Sequence, residues 1–311
     1  MADASAGPDR QPLVAPDVRA ALGSSRPVVG LESTIFSELG LPAPANREAL
    51  DRVVTAVRAG GAVPALTAVL DGRARIGVEP AAHDRICGAA RKVAARDLAP
   101  AVALGWAYGA TTVSASVTLA ASAGVEVFAT GGIGGVHRGW ATTGDVSADL
   151  PALARHPVVT VTAGAKVFLD LAATVEYLET ASVPVLGWRC DRFPAFHAPT
   201  SDVPLAIRVE SAAEVAEVAR THWAMGGGGV VLAVPVPETD GIPLAELEQL
   251  VERALADVGV RADITGGAVT PAVLERLGAL SGGRTVAANL ALAEHNATVA
   301  AEVAAALAAT R

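Results

Sequence analysis

The 311-residue chain is short of aromatic side chains, of cysteine and, above all, of lysine. Aromatics make up 4% of it, so a core must be built from the Ala, Val and Leu that dominate the 51% hydrophobic fraction. The two cysteines, Cys87 and Cys190, stand far apart in no redox or metal-ligand spacing, which leaves buried free thiols as their reading. Net charge is −8 and the pI is about 5.3. Such acidity argues against non-specific nucleic-acid binding, which needs clusters of Lys and Arg to displace counterions. It leaves room for a small anionic ligand, for which a few local donors suffice. The opening "MADASAGPDRQP" lacks the charged-then-apolar pattern of a signal peptide and reads as a polar tail. Residues 98–125 carry no charge, but Trp106, Tyr108, Gly109 and several Ser and Thr interrupt the run. A buried helix flanked by turns is expected there rather than a membrane span. These features predict a soluble, cytoplasmic protein with no nucleic-acid or membrane partner.

What is present is an alternation of short β-branched runs with Ala/Leu-rich helical runs. Strands are expected at 26–34, 125–130, 156–164, 182–188 and 228–237. Helices are expected at 45–60, with Asn46 near the cap, and at 110–124, 211–224, 243–257, 270–280 and 284–308. The Asp71-Gly72 pair inside 62–78 is a hairpin signal. The alternation predicts an α/β/α sandwich around a mostly parallel or mixed sheet. Residues 1–25 are expected as a flexible tail with a short helix, and 26–311 as a single catalytic domain.

Only two lysines occur, Lys92 and Lys166; the other 22 basic residues are arginine. Arginine serves as a surface cation but does not lose its proton, whereas a lysine amine can become neutral and attack carbon. Lys166 closes "VTVTAGAK", read as a strand, a small-residue turn and the first turn of a helix. There the helix dipole and burial both disfavour the ammonium form.

Two other strand-to-loop junctions carry unusual polar residues, and ligands in such sheets bind beyond the carboxyl ends of strands. In "LESTIFSELGLP", Glu32 follows an apolar strand; it is either a general acid with a raised pKa or a capping or ion-paired carboxylate. In "ATGGIGGVHRGWATTGDVSADL", four glycines in five positions read either as a phosphate cradle helped by His137 and Arg138 or as a flexible turn. Asp145 and Asp149, four apart around Ser147, suit either a hard divalent cation or an ordinary helix start. A nucleophilic lysine, a carboxylic acid, a phosphate cradle and a metal carboxylate together suggest a sugar phosphate handled through an imine. An imine supplies the electron sink needed when the bond broken at the anomeric carbon is C–C.

At these residues the sequence resembles the pseudouridine-5'-phosphate glycosidases, over about residues 26–308. The motifs that carry the resemblance are "LEST", "GAVPA", "RKVAARDL", "GATTV", "FATGGIGGVHRG", "DVSADL", "AGAKVFLDLAATVEYLET" and "FPAF". The resemblance implies reversible conversion of pseudouridine 5'-phosphate and water to ribose 5-phosphate and uracil. It further implies a lysine Schiff base, one Mn2+ per subunit and a homotrimer of α/β/α subunits. It assigns Lys166 as nucleophile, Glu32 as proton donor and Asp145 as manganese ligand. Substrate contacts fall on Lys92, Val113, Thr130, His137, Ser147, Ala148, Asp149 and Asn289. The chain departs from the family pattern at Ser37-Glu38-Leu39, His197-Ala198-Pro199, Val234 to Glu238, Gly267 and His295-Asn296-Ala297. Those changes leave open a second reading, a C-ribosylating enzyme that joins ribose 5-phosphate to an aromatic natural product, as in alnumycin biosynthesis. A catalytically silent sugar-phosphate-binding protein is the third.

Overall fold

The computed structural model describes residues 11–259 and 269–309. Runs of β-branched and small apolar residues form the strands. They are β1 (Leu13–Val14), β2 (Val28–Leu31), β3 (Val63–Leu70), β4 (Arg73–Ile76), β5 (Arg91–Val93), β6 (Tyr108–Thr111) and β7 (Val127–Ala129). After these come β8 (Val136–His137), β9 (Val159–Thr162), β10 (Leu169–Asp170), β11 (Val185–Trp188), β12 (Ile207–Val209) and β13 (Val230–Ala233). Every residue of β2, β7, β9 and β13 is buried, as strands covered on both faces must be.

Eleven of these strands form one sheet. Its main path runs β1-β4-β3-β2-β7-β9-β13-β11-β12, with β6 paired to β3 and β5 to β6. From β3 through β12 along this path all pairings are parallel, while β4 and β6 run antiparallel to β3. Strands β8 and β10 make a separate antiparallel pair. Asp71 and Gly72 both adopt left-handed backbone, at φ 52° and 68°, and close the β3–β4 hairpin as the sequence predicts.

Helices cover the sheet in two groups. Ala45–Ala59, Ala212–Ala224 and Arg284–Ala309 form one, the long last helix packing on both others and on β2, β7 and β9. Val113–Ser122, Asp149–Arg155 and Leu171–Thr180 form the other, in contact with the sheet at β2, β3, β13 and β11. This is the expected α/β/α arrangement. The helix Ala45–Ala59 buries Ala49, Leu50, Val53, Val54 and Val57, one stripe of an amphipathic helix. Ser211 caps Ala212–Ala224, its Oγ accepting from the Glu214 N–H at 3.3 Å.

Several boundaries differ from expectation. Asn46 does lie near the cap, two residues past Pro44, but it is buried inside the helix and its Nδ2 donates to the Cys87 carbonyl at 2.8 Å. The expected helix at 110–124 begins only at Val113, because Tyr108–Thr111 is a strand paired with β3 and β5. Of the expected tail, residues 1–10 lie outside the described residues, as does Gly267. The short helix is Pro16–Gly23, with Val18 and Ala21 fully buried, and β1 before it joins the sheet beside β4. Both cysteines are free and half-buried, their thiols shifted upward mainly by desolvation. No helix among the described residues is long and apolar enough to cross a membrane.

Candidate active site

Strands β2, β7 and β9 lie side by side, and Leu31, Ala129 and Val161 share one rung of the sheet. The next step along β2 and β7 is Glu32 and Thr130, at the carboxyl edge where parallel sheets bind ligands. Beyond the rung the β7 and β9 segments stay paired as loops. The Ala163 N–H donates to the Gly131 carbonyl at 3.0 Å, Ile133 to Gly164 at 3.0 Å, and Lys166 to Ile133 at 3.2 Å. The β8–β10 pair then sets Leu169 opposite His137. Lys166 is thus held between two attachments to the glycine-rich loop.

Glu32 is buried, and desolvation raises its carboxyl above the usual carboxylate range. The Lys166 charge, a hydrogen bond donated by the Thr130 hydroxyl to Oε1 and the Ile35 N–H pull the other way; Asp149 adds to the rise. Burial wins, so this carboxyl keeps its proton to higher pH than one in water. Lys92 is exposed as a residue, yet its ammonium end is crowded by protein. Its pKa is lowered, first by desolvation and then by repulsion from Lys166, against the pull of Asp149 and Glu32. Lys166 itself is half-buried, and no carboxylate among the described residues lies within 4.0 Å of its ammonium. The chain's only two lysines therefore face one buried acid, and Lys166 is not locked in an ion pair.

Lys166 does not open a helix. The helix begins at Leu171, and Asp170 caps it, Oδ1 accepting from the Ala173 N–H at 3.0 Å. The helix dipole thus has no direct bearing on the Lys166 amine.

The glycine-rich loop is not an open nest of amides. None of Gly131, Gly132, Gly134 and Gly135 has a positive φ, which an anion nest requires. The Gly134 N–H goes to Asp149 Oδ2 at 2.9 Å and the Val136 N–H to Thr174 Oγ1 at 2.9 Å. Close packing explains these glycines: a Cβ on Gly132 would stand 2.6 Å from the Phe196 ring, and one on Gly135 2.3 Å from Thr174 Oγ1.

Asp145 and Asp149 do not converge. Asp149 is buried and its other oxygen, Oδ1, accepts from the Ser114 N–H at 2.8 Å, so it ties the glycine-rich loop to the helix that Val113 opens. Asp145 is exposed, with Oδ2 3.7 Å from His137 Nδ1. Among the described residues no group of three His, Cys, Asp or Glu gathers as a metal site. Ser147 bridges the two halves, its N–H on the Gly135 carbonyl at 2.9 Å and its Oγ accepting from the Asp149 N–H at 3.2 Å. Ala148, beside it, is exposed.

Asn289 is buried beside the loop, its Oδ1 3.5 Å from where a Gly131 Cβ would stand. The sequence reading missed the role of Asn296, seven residues on, whose Nδ2 donates to the Thr130 carbonyl at 2.8 Å. Two amides seven apart on an otherwise apolar helix stripe were the available signal. Among the departures from the family pattern, Glu38 is exposed, while Val234 and His197 are buried. Val234 extends the sheet, its N–H on the Thr162 carbonyl at 2.8 Å. These three do not form a common mouth over the site.

The fold and this edge define a class: α/β/α proteins in which a buried acid at one strand end faces two lysines, one on a loop zipped to the neighbouring strand. The chain belongs to the indigoidine synthase A-like protein family, whose model matches residues 17–306. It is 50% identical over 297 residues to a pseudouridine-5'-phosphate glycosidase of Methylobacterium nodulans, covering 94% of this chain and 87% of that one. It is 48% identical over 296 residues to a protein of the same name from Deinococcus radiodurans, covering 93% of each. Among solved structures, the prealnumycin C-glycosynthase AlnA in complex with ribulose 5-phosphate superposes with a TM-score of 0.88 at 38% identity, over 97% of this chain and 99% of that one. An indigoidine synthase A-like protein from Thermotoga maritima gives 0.86 at 33% identity, over 98% and 100%.

Proposed function

We propose that this protein is a pseudouridine-5'-phosphate glycosidase, converting pseudouridine 5'-phosphate and water to ribose 5-phosphate and uracil through an imine on Lys166. The observation that carries the reading is the buried Glu32 carboxyl at the end of β2, raised by desolvation, with the Lys166 charge on the loop after β9 acting on it and β7 between the two strands. The names of relatives at 44–50% identity support it.

The chemistry follows from these groups. The neutral Lys166 amine attacks the anomeric carbon, the ring C–O bond breaks, and the ring oxygen leaves as a hydroxyl by taking the proton that the attacking nitrogen gives up. The nitrogen lone pair then forms C=N⁺ as the C–C bond to the base breaks. The departing electron pair is captured on the ring carbon by the proton of Glu32, which burial holds to higher pH than a carboxyl in water. Water attacks the imine and returns the free amine and ribose 5-phosphate. Lys92, whose own pKa is lowered by desolvation and then by the Lys166 charge, adds a second amine facing the same acid. An Mn2+ ion, expected from the resemblance, would be held by Asp145 beside His137, where no third His, Cys, Asp or Glu gathers among the described residues, and no step above passes through it. Removal with EDTA and return of Mn2+ tests that expectation, and sedimentation equilibrium tests the homotrimer.

Incubation with ribose 5-phosphate and borohydride tests the mechanism: the expected product is a reduced pentose adduct on Lys166. Lys166→Arg keeps the charge and abolishes both adduct and uracil release; retained turnover refutes the imine. The likeness to AlnA favours a second reading, C-ribosylation of an aromatic acceptor by the same imine. Adduct formation without uracil release from pseudouridine 5'-phosphate is its signature.

A further inference from the structure

The Thr130 hydroxyl that meets Glu32 belongs to a residue fixed at both ends of its peptide unit. Its N–H donates to the Val161 carbonyl at 3.0 Å, in the ladder with β9. Its carbonyl accepts from Asn296 Nδ2 at 2.8 Å, and the same amide reaches the Gly131 carbonyl at 3.4 Å. Gly131 O in turn accepts from Ala163, three residues before Lys166.

Asn296 is fully buried on the long helix Arg284–Ala309, and its Oδ1 has no partner among the described residues. A buried amide oxygen left unpaired costs stability. An apolar residue would fill this helix stripe without that cost, so the amide is there for its donor. With N–H and C=O both held, the Thr130 side chain has only its own torsion left, and that torsion points the hydroxyl at Glu32.

We propose that Asn296 is a positioning residue for the proton-donating carboxyl: by gripping the Thr130 carbonyl it sets the Thr130 hydroxyl against Glu32. The inference rests on the reading of Glu32 as the general acid. It predicts more than a structural role, because the Thr130 hydrogen bond favours the ionised carboxylate. Other charged groups facing Glu32 are Lys166 from the β9 loop, Lys92 from β5 and Asp149 from the helix Asp149–Arg155. The Asn296 amide donates to the Thr130 and Gly131 carbonyls and to none of these three side chains.

The test is single-turnover uracil release from pseudouridine 5'-phosphate, followed from about pH 5 to 9. Asn296→Leu is expected to slow it about tenfold, the cost of one lost hydrogen bond, with KM changed less than about twofold. The alkaline limb of its profile moves upward, in the same direction as for Thr130→Val. The double variant moves no further than Thr130→Val alone, since both act through one contact. If Asn296→Leu fails to fold by circular dichroism, Asn296→Asp, which cannot donate when ionised, is compared in the same way. A folded Asn296 variant with the wild-type rate and limb overturns the inference, as does a slowed variant whose limb stays in place. Glu32→Gln separates the two readings. Wild-type release by that variant removes the general acid itself, whereas a dead Glu32→Gln beside an unaffected Asn296 variant removes only the positioning role.

Discussion

His197 offers a quantitative test of how this core treats charge. Its ring is 1% exposed, neither nitrogen has a hydrogen-bond partner among the described residues, and the Phe196 ring lies 4.3 Å away. Burial alone pushes its pKa down to about 3. The unfolded chain binds the proton near pH 6.5, the ordinary value, so between about pH 3 and 6.5 the unfolded state holds more protons than the folded one. Stability is therefore complete above about pH 6.5 and falls by roughly 1.4 kcal/mol for each pH unit below it. From pH 8 to pH 5 the loss amounts to about 2 kcal/mol. His197→Phe keeps the aromatic contact with Phe196 and removes the titrating group. Urea unfolding of both proteins at the two pH values measures the effect. The wild type is expected to lose about 2 kcal/mol more than the variant. At pH 8 the variant should be no less stable, because no hydrogen bond is lost. His83, His156 and His295 are also shifted downward by burial, and their contributions cancel in the difference. Parallel losses in the two proteins refute the assignment of His197 as a buried neutral imidazole.

Other outcomes follow from the geometry of the loops and caps. In Gly134→Ala the new Cβ would stand 2.2 Å from Ser147 Oγ; the strain should cost about 1–3 kcal/mol in thermal unfolding and lower uracil release by more than that loss explains. Ser211→Ala should cost about 1 kcal/mol in urea unfolding with activity unchanged, because the cap lies on a helix outside the site. For the wild type, turnover should fall as pH rises and the Glu32 carboxyl ionises, at a higher pH than a solvent-exposed carboxyl would because burial raises its pKa. A rate that falls already in the range of a solvent-exposed carboxyl would contradict its burial.

Features set by neighbours in sequence were readable from the chain alone. The Asp71-Gly72 turn needs two left-handed residues, and those two types supply them. The end of the apolar run before Glu32 located the acid at a strand edge. Features set by partners far along the chain were not readable. The helix after Lys166 starts five residues later than expected because β10 pairs with β8 first, and that pairing joins residues more than thirty apart. Asp170, the side chain that marks the true start, is the one carboxylate in the run "KVFLDLA", whose apolar residues continue on both sides of it. The glycine-rich loop carries the composition of an anion nest. Only the positions of Phe196, Ser147 and Thr174 reveal that small size, not backbone freedom, is what these glycines provide. Asp145 and Asp149 likewise sit four apart in sequence, yet one is turned into the protein and the other toward solvent.

The grip of Asn296 on Thr130 spans 166 positions, and the Thr130–Glu32 contact spans 98. During synthesis Glu32 emerges before Lys166, and Asn296 only after both. A nascent or truncated chain thus carries the reagents without the assembled tool. If the proposed role of Asn296 holds, uracil release reports that the helix Arg284–Ala309 has docked.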